Sequence, residues 1–279
     1  ASAAEHAVPD FTGPWGRNMF NFEPPDRGPG PIVNLRRLGK DAGRSVVDGD
    51  PIPLVGDYTN PILKPEAAAV VKKFGDISLA GGVYPNPANQ CWPEPGPFIY
   101  KNFGLQILRN KPDELTLIYD QDHEVRHIRM NARHPARLTP SWYGDSVGHY
   151  EGDTLVIDTV GTKTDRPFAM LDLYGTPYSK ALHVVERYRL VDYAEAKDGL
   201  DRDEKENFRV QGIMDRSYRG KHLQLTYTVE DSGVFTTPWS ATVTFGRGTD
   251  VWPETVCAEN VHVYYDKDEI VPTAAKPDF

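Results

Sequence analysis

Residues 222–230 read HLQLTYTVE, and in this stretch apolar side chains occupy the odd positions from 223 to 229 while polar ones occupy the even positions from 224 to 230. Successive side chains of a strand point to opposite faces, so the segment predicts a strand with one buried and one solvated face. Residues 239–246, WSATVTFG, repeat the alternation. Since no regular exchange of strands with helices accompanies these patterns, the sequence predicts an all-β fold.

The whole chain from Phe98 onward consists of short β-branched and aromatic runs of this kind, separated by turn residues. These runs predict strands near 103–109, 115–120, 123–130, 146–150, 154–160, 183–191, 208–218, 222–230, 239–246 and 256–265. Short turns such as Glu151-Gly152-Asp153 make successive strands neighbours. An antiparallel meander of this length removes its edges by closing, so residues 101–265 predict a β-barrel able to enclose a ligand, with residues 266–279 as a C-terminal tail.

The first hundred residues have a different composition, because they contain fifteen of the 24 prolines. Proline cannot donate to a sheet ladder, so residues 1–100 are expected to wrap over the barrel as part of the same domain. Within them, Pro65 followed by an alanine-rich run and then Gly75 predicts one short helix near 65–74.

The charge of the chain limits its partners. A formal net charge of -9 repels nucleic acids, and no apolar run is long enough to predict insertion into a membrane. The opening Ala1-Ser2-Ala3-Ala4 resembles the residues around a signal-peptidase site, so a periplasmic or secreted location is expected. The expected partner is a small molecule, and a homodimer remains possible.

The two cysteines, Cys91 and Cys257, stand far apart in the sequence. This spacing excludes a C-x-x-C redox or metal motif. A single disulfide that closes a long loop and two separate buried thiols are both compatible with it.

Two segments resemble a known group of proteins. Residues 10–17, DFTGPWGR, resemble the G-x-W opening of lipocalin-like barrels, in which the tryptophan plugs one end. Residues 140–161, PSWYGDSVGHYEGDTLVIDTVG, with 181–187, ALHVVER, resemble a group of secreted bacterial proteins of uncertain function. This similarity extends from about residue 89 to 260. It implies a lipocalin-like (calycin-type) β-barrel and export, and it supplies no reaction.

Histidines on the central strands are the main candidates for chemistry. His123 and His149 are expected to exchange protons with a substrate, because imidazole titrates near neutral pH. His123 and His127 lie about 13 Å apart along one predicted strand and cannot share a metal ion. If a metal is bound, His123, His149 and His183 are its candidate ligands.

Carboxylates near these histidines are expected to orient them or tune their pKa. Asp145 shares a strand face with His149, whereas Glu186 faces away from His183 in the alternation of its own strand. Asp145 and Glu186 are therefore assigned this supporting role in catalysis.

Residues 144–148, GDSVG, match the G-x-S-x-G pattern of serine hydrolases. That pattern requires a strand before the serine and a helix after it, and here a hairpin follows. The two glycines are better explained by a close backbone approach or a bulge.

Side chains suited to stacking on a ligand or binding it through hydrogen bonds complete the candidate site: Tyr119, Arg126, His127, Trp142, His183 and Trp239. Nucleotide-binding and flavin-binding motifs are not found, and no cofactor is expected. The leading hypothesis is a cofactor-independent lyase, isomerase or hydrolase that uses histidine and carboxylate groups inside the barrel on a small apolar or phenolic molecule. The alternatives are a non-catalytic periplasmic carrier of a hydrophobic molecule and a metal-dependent enzyme with a multi-histidine site.

Overall fold

The computed structural model describes residues 8–17, 19, 21–35, 53–101, 103–121, 124–165, 169–206, 214–249 and 257. Its strands close into one barrel in the order in which they occur in the chain, which confirms the predicted all-β barrel. The strands are β1 (Pro14–Arg17), β2 (Phe103–Lys111), β3 (Glu114–Tyr119), β4 (Val125–Met130), β5 (Asp145–Glu151), β6 (Thr154–Val160), β7 (His183–Val191), β8 (His222–Glu230) and β9 (Trp239–Arg247). Two α-helices accompany them, α1 (Pro65–Leu79) and α2 (Tyr193–Glu206).

One pair of neighbouring strands is parallel. All pairings are antiparallel except β4 with β5, where Arg129 stands beside Val147 and Met130 beside Gly148. A closed ring of nine strands cannot alternate direction throughout, because an odd number leaves at least one pair pointing the same way. The connection between β4 and β5 therefore has to cross over, as parallel pairs require, and it carries the chain through residues 131–144.

The barrel is closed by a strand from the proline-rich segment. β1 pairs with β2 on one side and with β9 on the other, so residues 14–17 belong to the barrel, whose predicted start was residue 101. Pro14 occupies the first position of β1, where a missing donor is tolerated. Trp15 is buried, donates its indole N–H to the Phe11 carbonyl at 2.9 Å, and has the Arg247 guanidinium 5.1 Å from its ring centre.

Helix α1 confirms the predicted helix but extends beyond it. Gly75, expected to end the helix, lies inside it, where a Cβ atom would approach Val55 Cγ1 to 2.9 Å. This glycine therefore allows the helix to pack closely on the chain beside it, and the helix ends just before Gly81, which has a positive φ of +80°.

The structure differs from the sequence-based expectations at two further places. Helix α2 was not anticipated, because charged residues dominate it and, of its described residues, only Ala196, Gly199 and Asp203 are buried. The strand predicted near 208–218 is wrong over 214–218, which form turns, and its first part belongs to the undescribed residues 207–213. The strand predicted at 256–265 and the tail at 266–279 also fall beyond what the structure describes.

A disulfide joins Cys91 and Cys257, so of the two alternatives the bridged one is correct. The barrel interior is packed with large apolar and aromatic side chains, among them Leu105, Leu117, Ile128, Leu155, Tyr188, Leu225, Tyr227 and Phe245. Groups that meet a ligand on this barrel must therefore lie on its outer face or at its ends.

Candidate functional site

A polar network lies inside the barrel and centres on a buried ion pair. Arg126 on β4 donates from Nη2 to Glu186 Oε2 at 2.7 Å and from Nη1 to Oε1 at 3.1 Å. Both side chains are almost fully buried, at 2% and 0% exposure. The other acceptors of the guanidinium are hydroxyl groups: Tyr119 at 2.9 Å, Tyr100 at 3.4 Å, Thr159 at 3.2 Å and Ser146 at 3.3 Å.

The tyrosines of this network stay protonated, because burial disfavours the charged phenolate. Burial raises the pKa of Tyr119 to about 12, and it raises the pKa of Tyr188 well above its usual value. The Tyr188 hydroxyl donates to Glu186 Oε1 at 2.7 Å, so the carboxylate is held from two sides. The network joins β3, β4, β5, β6 and β7 across the interior, and its charges neutralise each other there.

A second group of polar side chains lies on the outer face of the barrel, on strands β4 to β8 and in the β4–β5 connection. The histidine–carboxylate array consists of Arg129, His134, Asp145, Asp158, His183 and Glu230. Val160 on β6 pairs with Asp145 on β5 and with His183 on β7. Asp158 lies two residues before Val160 on β6, so its side chain points to the same outer face. Such diagonal neighbours on one sheet face are within reach of each other.

His134, from the β4–β5 connection, joins the two carboxylates. Its Nδ1 lies 2.5 Å from Asp145 Oδ1 and its Nε2 2.9 Å from Asp158 Oδ1. His183 Nε2 lies 3.0 Å from Asp158 Oδ2. The other nitrogen of His183, Nδ1, is 3.5 Å from Glu230 Oε2. Asp158 thus contacts both imidazoles and fixes the orientation of each.

The contact between His183 and Asp158 shifts both titrations. The hydrogen bond to Asp158 raises the pKa of His183 above its usual 6.5, and partial burial opposes this shift. The hydrogen bond from His183 lowers the pKa of Asp158, against its own partial burial, and the contact with His134 lowers it further. The pair therefore favours the imidazolium–carboxylate form over part of the neutral range.

A cavity of about 500 Å³ borders His183. This rim pocket lies where β6 ends and β7 begins, beneath the β4–β5 connection, and is lined by Leu138, Pro140, Val160, Gly161, Thr162, Lys163, Thr164, Asp165, Lys180, Ala181, Leu182 and His183. Its volume is in the range that holds a small organic ligand. Its walls combine apolar side chains with an imidazole that is already paired to a carboxylate.

The structure separates the predicted catalytic residues. Glu186 is inside the barrel, whereas Asp145 and His149 point outward. The His149 side chain is 51% exposed and contacts Glu151 at 3.1 Å, so it is bound neither to Asp145 nor to Glu186. The prediction that these residues meet inside the barrel is therefore wrong. Side chains alternate between the two faces of a strand, and Asp145 and His149 take outward positions on β5 whereas Glu186 takes an inward position on β7. His123 belongs to the undescribed residues 122–123.

The predicted binding residues are also divided. Tyr119, Arg126 and Trp239 are buried in the barrel interior. His127 is 66% exposed and lies 3.7 Å from Glu114, on the far side of the strand from Arg126. Trp142 lies next to the rim pocket, with Lys163 Nζ 5.7 Å from its ring centre, and His183 lines the pocket itself. Only the last two of the six are therefore placed to meet a ligand there.

The described residues offer no set of three His, Cys, Asp or Glu side chains arranged to hold a metal ion. His149 pairs with Val156, whereas His183 pairs with Val160, four residues further along β6. That separation corresponds to about 13 Å, so these two histidines cannot bind one metal.

The G-x-S-x-G segment has the structural role that was expected. A Cβ atom at Gly144 would lie 2.6 Å from the Val160 carbonyl oxygen, and one at Gly148 would lie 2.9 Å from Ile128 Cγ2. Ser146 is buried and shares a 2.9 Å hydrogen bond with Thr159. Its hydroxyl is therefore part of the interior network rather than an exposed nucleophile.

The sequence did not identify His134, Lys163 or Lys180 as site residues, and Asp158 was considered as a carboxylate near the histidines but given no role. The strand alternation carried a signal for Asp158, since it occupies the same face of the sheet as His183 one strand away. No comparable signal marks His134, because it lies in an irregular connection whose path is set by the crossover.

Comparison of the chain with protein-family models, with curated proteins and with solved structures found no match. Within the part of the chain that the structure describes, neither helix has the length and apolar character needed to cross a membrane.

Proposed function

We propose that this chain is an enzyme that performs cofactor-independent acid–base chemistry, as a lyase, isomerase or hydrolase, on a small, largely apolar molecule bound in the rim pocket. The observation that carries the proposal is that His183, bonded to Asp158 at 3.0 Å, lines a cavity of about 500 Å³. A histidine oriented by a carboxylate is the arrangement most often used to move protons near neutral pH.

In the proposed mechanism, His183 exchanges the proton and Asp158 orients it. Asp158 accepts the hydrogen bond from Nε2, so the opposite nitrogen, Nδ1, gives a proton to the substrate or takes one from it. Glu230 Oε2 lies 3.5 Å from Nδ1, and its carboxylate is 56% exposed, so the substrate can displace it. His134 and Asp145 hold Asp158 in place from the other side.

Export is part of the same proposal. A disulfide between Cys91 and Cys257 supports a periplasmic or extracellular location, because such bonds persist in oxidising compartments. The proposed relationship to lipocalin-like barrels rests on the resemblance of residues 10–17 and 140–161 and remains a prediction.

A non-catalytic carrier is the second candidate. The apolar walls formed by Leu138, Pro140, Val160 and Leu182 would suit a carried hydrophobic molecule equally well. A carrier needs no proton donor in its pocket, so the two functions differ in what happens to the bound molecule.

The test is to identify bound small apolar molecules by native mass spectrometry and to follow their conversion by liquid chromatography and mass spectrometry. We expect H183Q to lose conversion by at least about a hundredfold, since general acid–base groups contribute about 10²–10⁴-fold. The matched control is H149Q, which removes an exposed histidine that also contacts a carboxylate. Binding without conversion by the wild-type protein would favour the carrier. Equal conversion by H183Q and wild type would contradict the proposed mechanism.

A further inference from the structure

The rim pocket carries more positive than negative groups. Its lining contains Lys163 and Lys180 beside His183, and Asp165 is its single carboxylate. Within the described residues neither lysine forms an ion pair, whereas other lysines, such as Lys72, do. In a chain of net charge -9, two ammonium groups without a carboxylate partner among the described residues form a local region of opposite sign at this cavity, where Lys163 Nζ also lies 5.7 Å from the centre of the Trp142 ring.

Both lysines lie on loops that hydrogen bonds hold in place. The Lys163 backbone N–H donates to the Ser141 carbonyl at 2.9 Å, and its carbonyl accepts the Tyr178 hydroxyl at 2.8 Å. Ser179, next to Lys180, donates from N–H and hydroxyl to the buried Asp231 carboxylate, each at 2.6 Å. The backbones that carry the two ammonium groups are therefore positioned before any ligand arrives, which lowers the entropic cost of binding.

The remaining walls are apolar. Leu138, Pro140, Val160 and Leu182 offer hydrocarbon surface, so a ligand that matches the pocket combines an apolar body with a negative group at one end. A neutral apolar molecule would fill the walls and leave the lysines without an anionic partner. A strongly polar anion would satisfy the lysines and leave the walls unused.

We propose that the rim pocket selects small apolar acids, whose carboxylate or similar anionic group binds at Lys163 and Lys180 while the apolar body lies against the walls. This selection rests on the proposed function, because it names the substrate class of the same pocket. It places the anionic end of the substrate among the lysines and leaves the remainder of the molecule beside His183.

The test uses two fluorescent probes that differ in one charged group, 8-anilinonaphthalene-1-sulfonate, which is an anion, and N-phenyl-1-naphthylamine, which is neutral. Binding of each is measured on the folded protein with the double variant K163Q/K180Q. The matched control is K72Q/K221Q, which removes the same charge from helix α1 and from the turn before β8. Circular dichroism confirms that each variant is folded. Ala181→Trp fills the pocket and shows whether the probes bind there.

We expect K163Q/K180Q to raise the Kd for the anionic probe about tenfold and the Kd for the neutral probe less than about twofold, with both nearly unchanged in K72Q/K221Q. An unchanged Kd for the anionic probe, or an equal rise for both probes, would overturn the selection for acids and leave the proton-transfer proposal standing. If the wild-type protein binds neither probe, or Ala181→Trp weakens neither, the pocket is not a ligand site and both proposals fail.

Discussion

The buried pair of Arg126 and Glu186 allows a quantitative prediction. Glu186→Gln keeps the size of the side chain but removes the charge that balances the guanidinium, and it sets an amide N–H₂ against Nη2 where an oxygen now accepts at 2.7 Å. Removing one partner of a buried ion pair leaves an uncompensated charge and costs about 3–5 kcal/mol. The hydroxyls of Tyr119 and Thr159 still accept from Arg126, so we expect the lower half of that range.

Urea unfolding with the disulfide intact measures this loss. In a double-mutant cycle, Arg126→Met removes the remaining charge, so R126M/E186Q should lose much less stability than the sum of the single variants. Glu151→Gln is the control, because Glu151 forms the same kind of pair with Arg187 at 2.7 Å on the surface and should lose far less. Losses that add within about 0.5 kcal/mol would refute the view that the two charges neutralise each other in the interior.

Three further outcomes follow from the described geometry. Reducing the disulfide, which spans 166 residues, should lower the free energy of unfolding by about 2–5 kcal/mol, as measured by denaturation with and without reductant. Gly144→Ala should destabilise more than Gly152→Ala. At both positions φ is positive, which costs an alanine about 1–2 kcal/mol. Only at Gly144 would the added Cβ also clash with the backbone, at the Val160 carbonyl oxygen. Equal losses in the free energy of unfolding of the two variants, measured in urea, would contradict this. The contact of His183 with Asp158 should stabilise the fold most between about pH 4 and 6.5. It weakens as pH falls through the lowered pKa of Asp158 or rises through the raised pKa of His183. The effect should be at most about 1 kcal/mol, because solvent screens the pair, and H183Q should flatten the pH profile.

Much of the fold was predictable because local patterns of apolar and polar residues indicate the strands. The alternation in residues 222–230 and 239–246 reflects one buried face, and the strands β8 and β9 occupy those positions. Helix α2 was not predictable in the same way, because its stability comes from packing on the barrel. A Cβ atom at Gly199 would lie 2.4 Å from Thr244 Oγ1, a close approach that no local pattern shows.

The candidate site was harder to predict, because it depends on which strands become neighbours and on which side faces in. Asp158 and His183 are 25 residues apart, and the register of β6 with β7 brings them to 3.0 Å. The odd number of strands also matters, because the crossover it imposes carries His134 between two carboxylates. Strand count is a property of the whole chain, so reading individual segments could not reveal this arrangement.

Strand β1 has a consequence for how the chain folds. Trp15 pairs with Arg247, so the two edges that complete the ring come from nearly opposite ends of the described sequence. Contacts of such long range form slowly, because the entropy of closing the intervening loop must be overcome first. During synthesis, β1 remains unpaired on its β9 side until the chain has been made through residue 247. We expect a chaperone that shields exposed strand edges to limit misfolding most effectively during this interval.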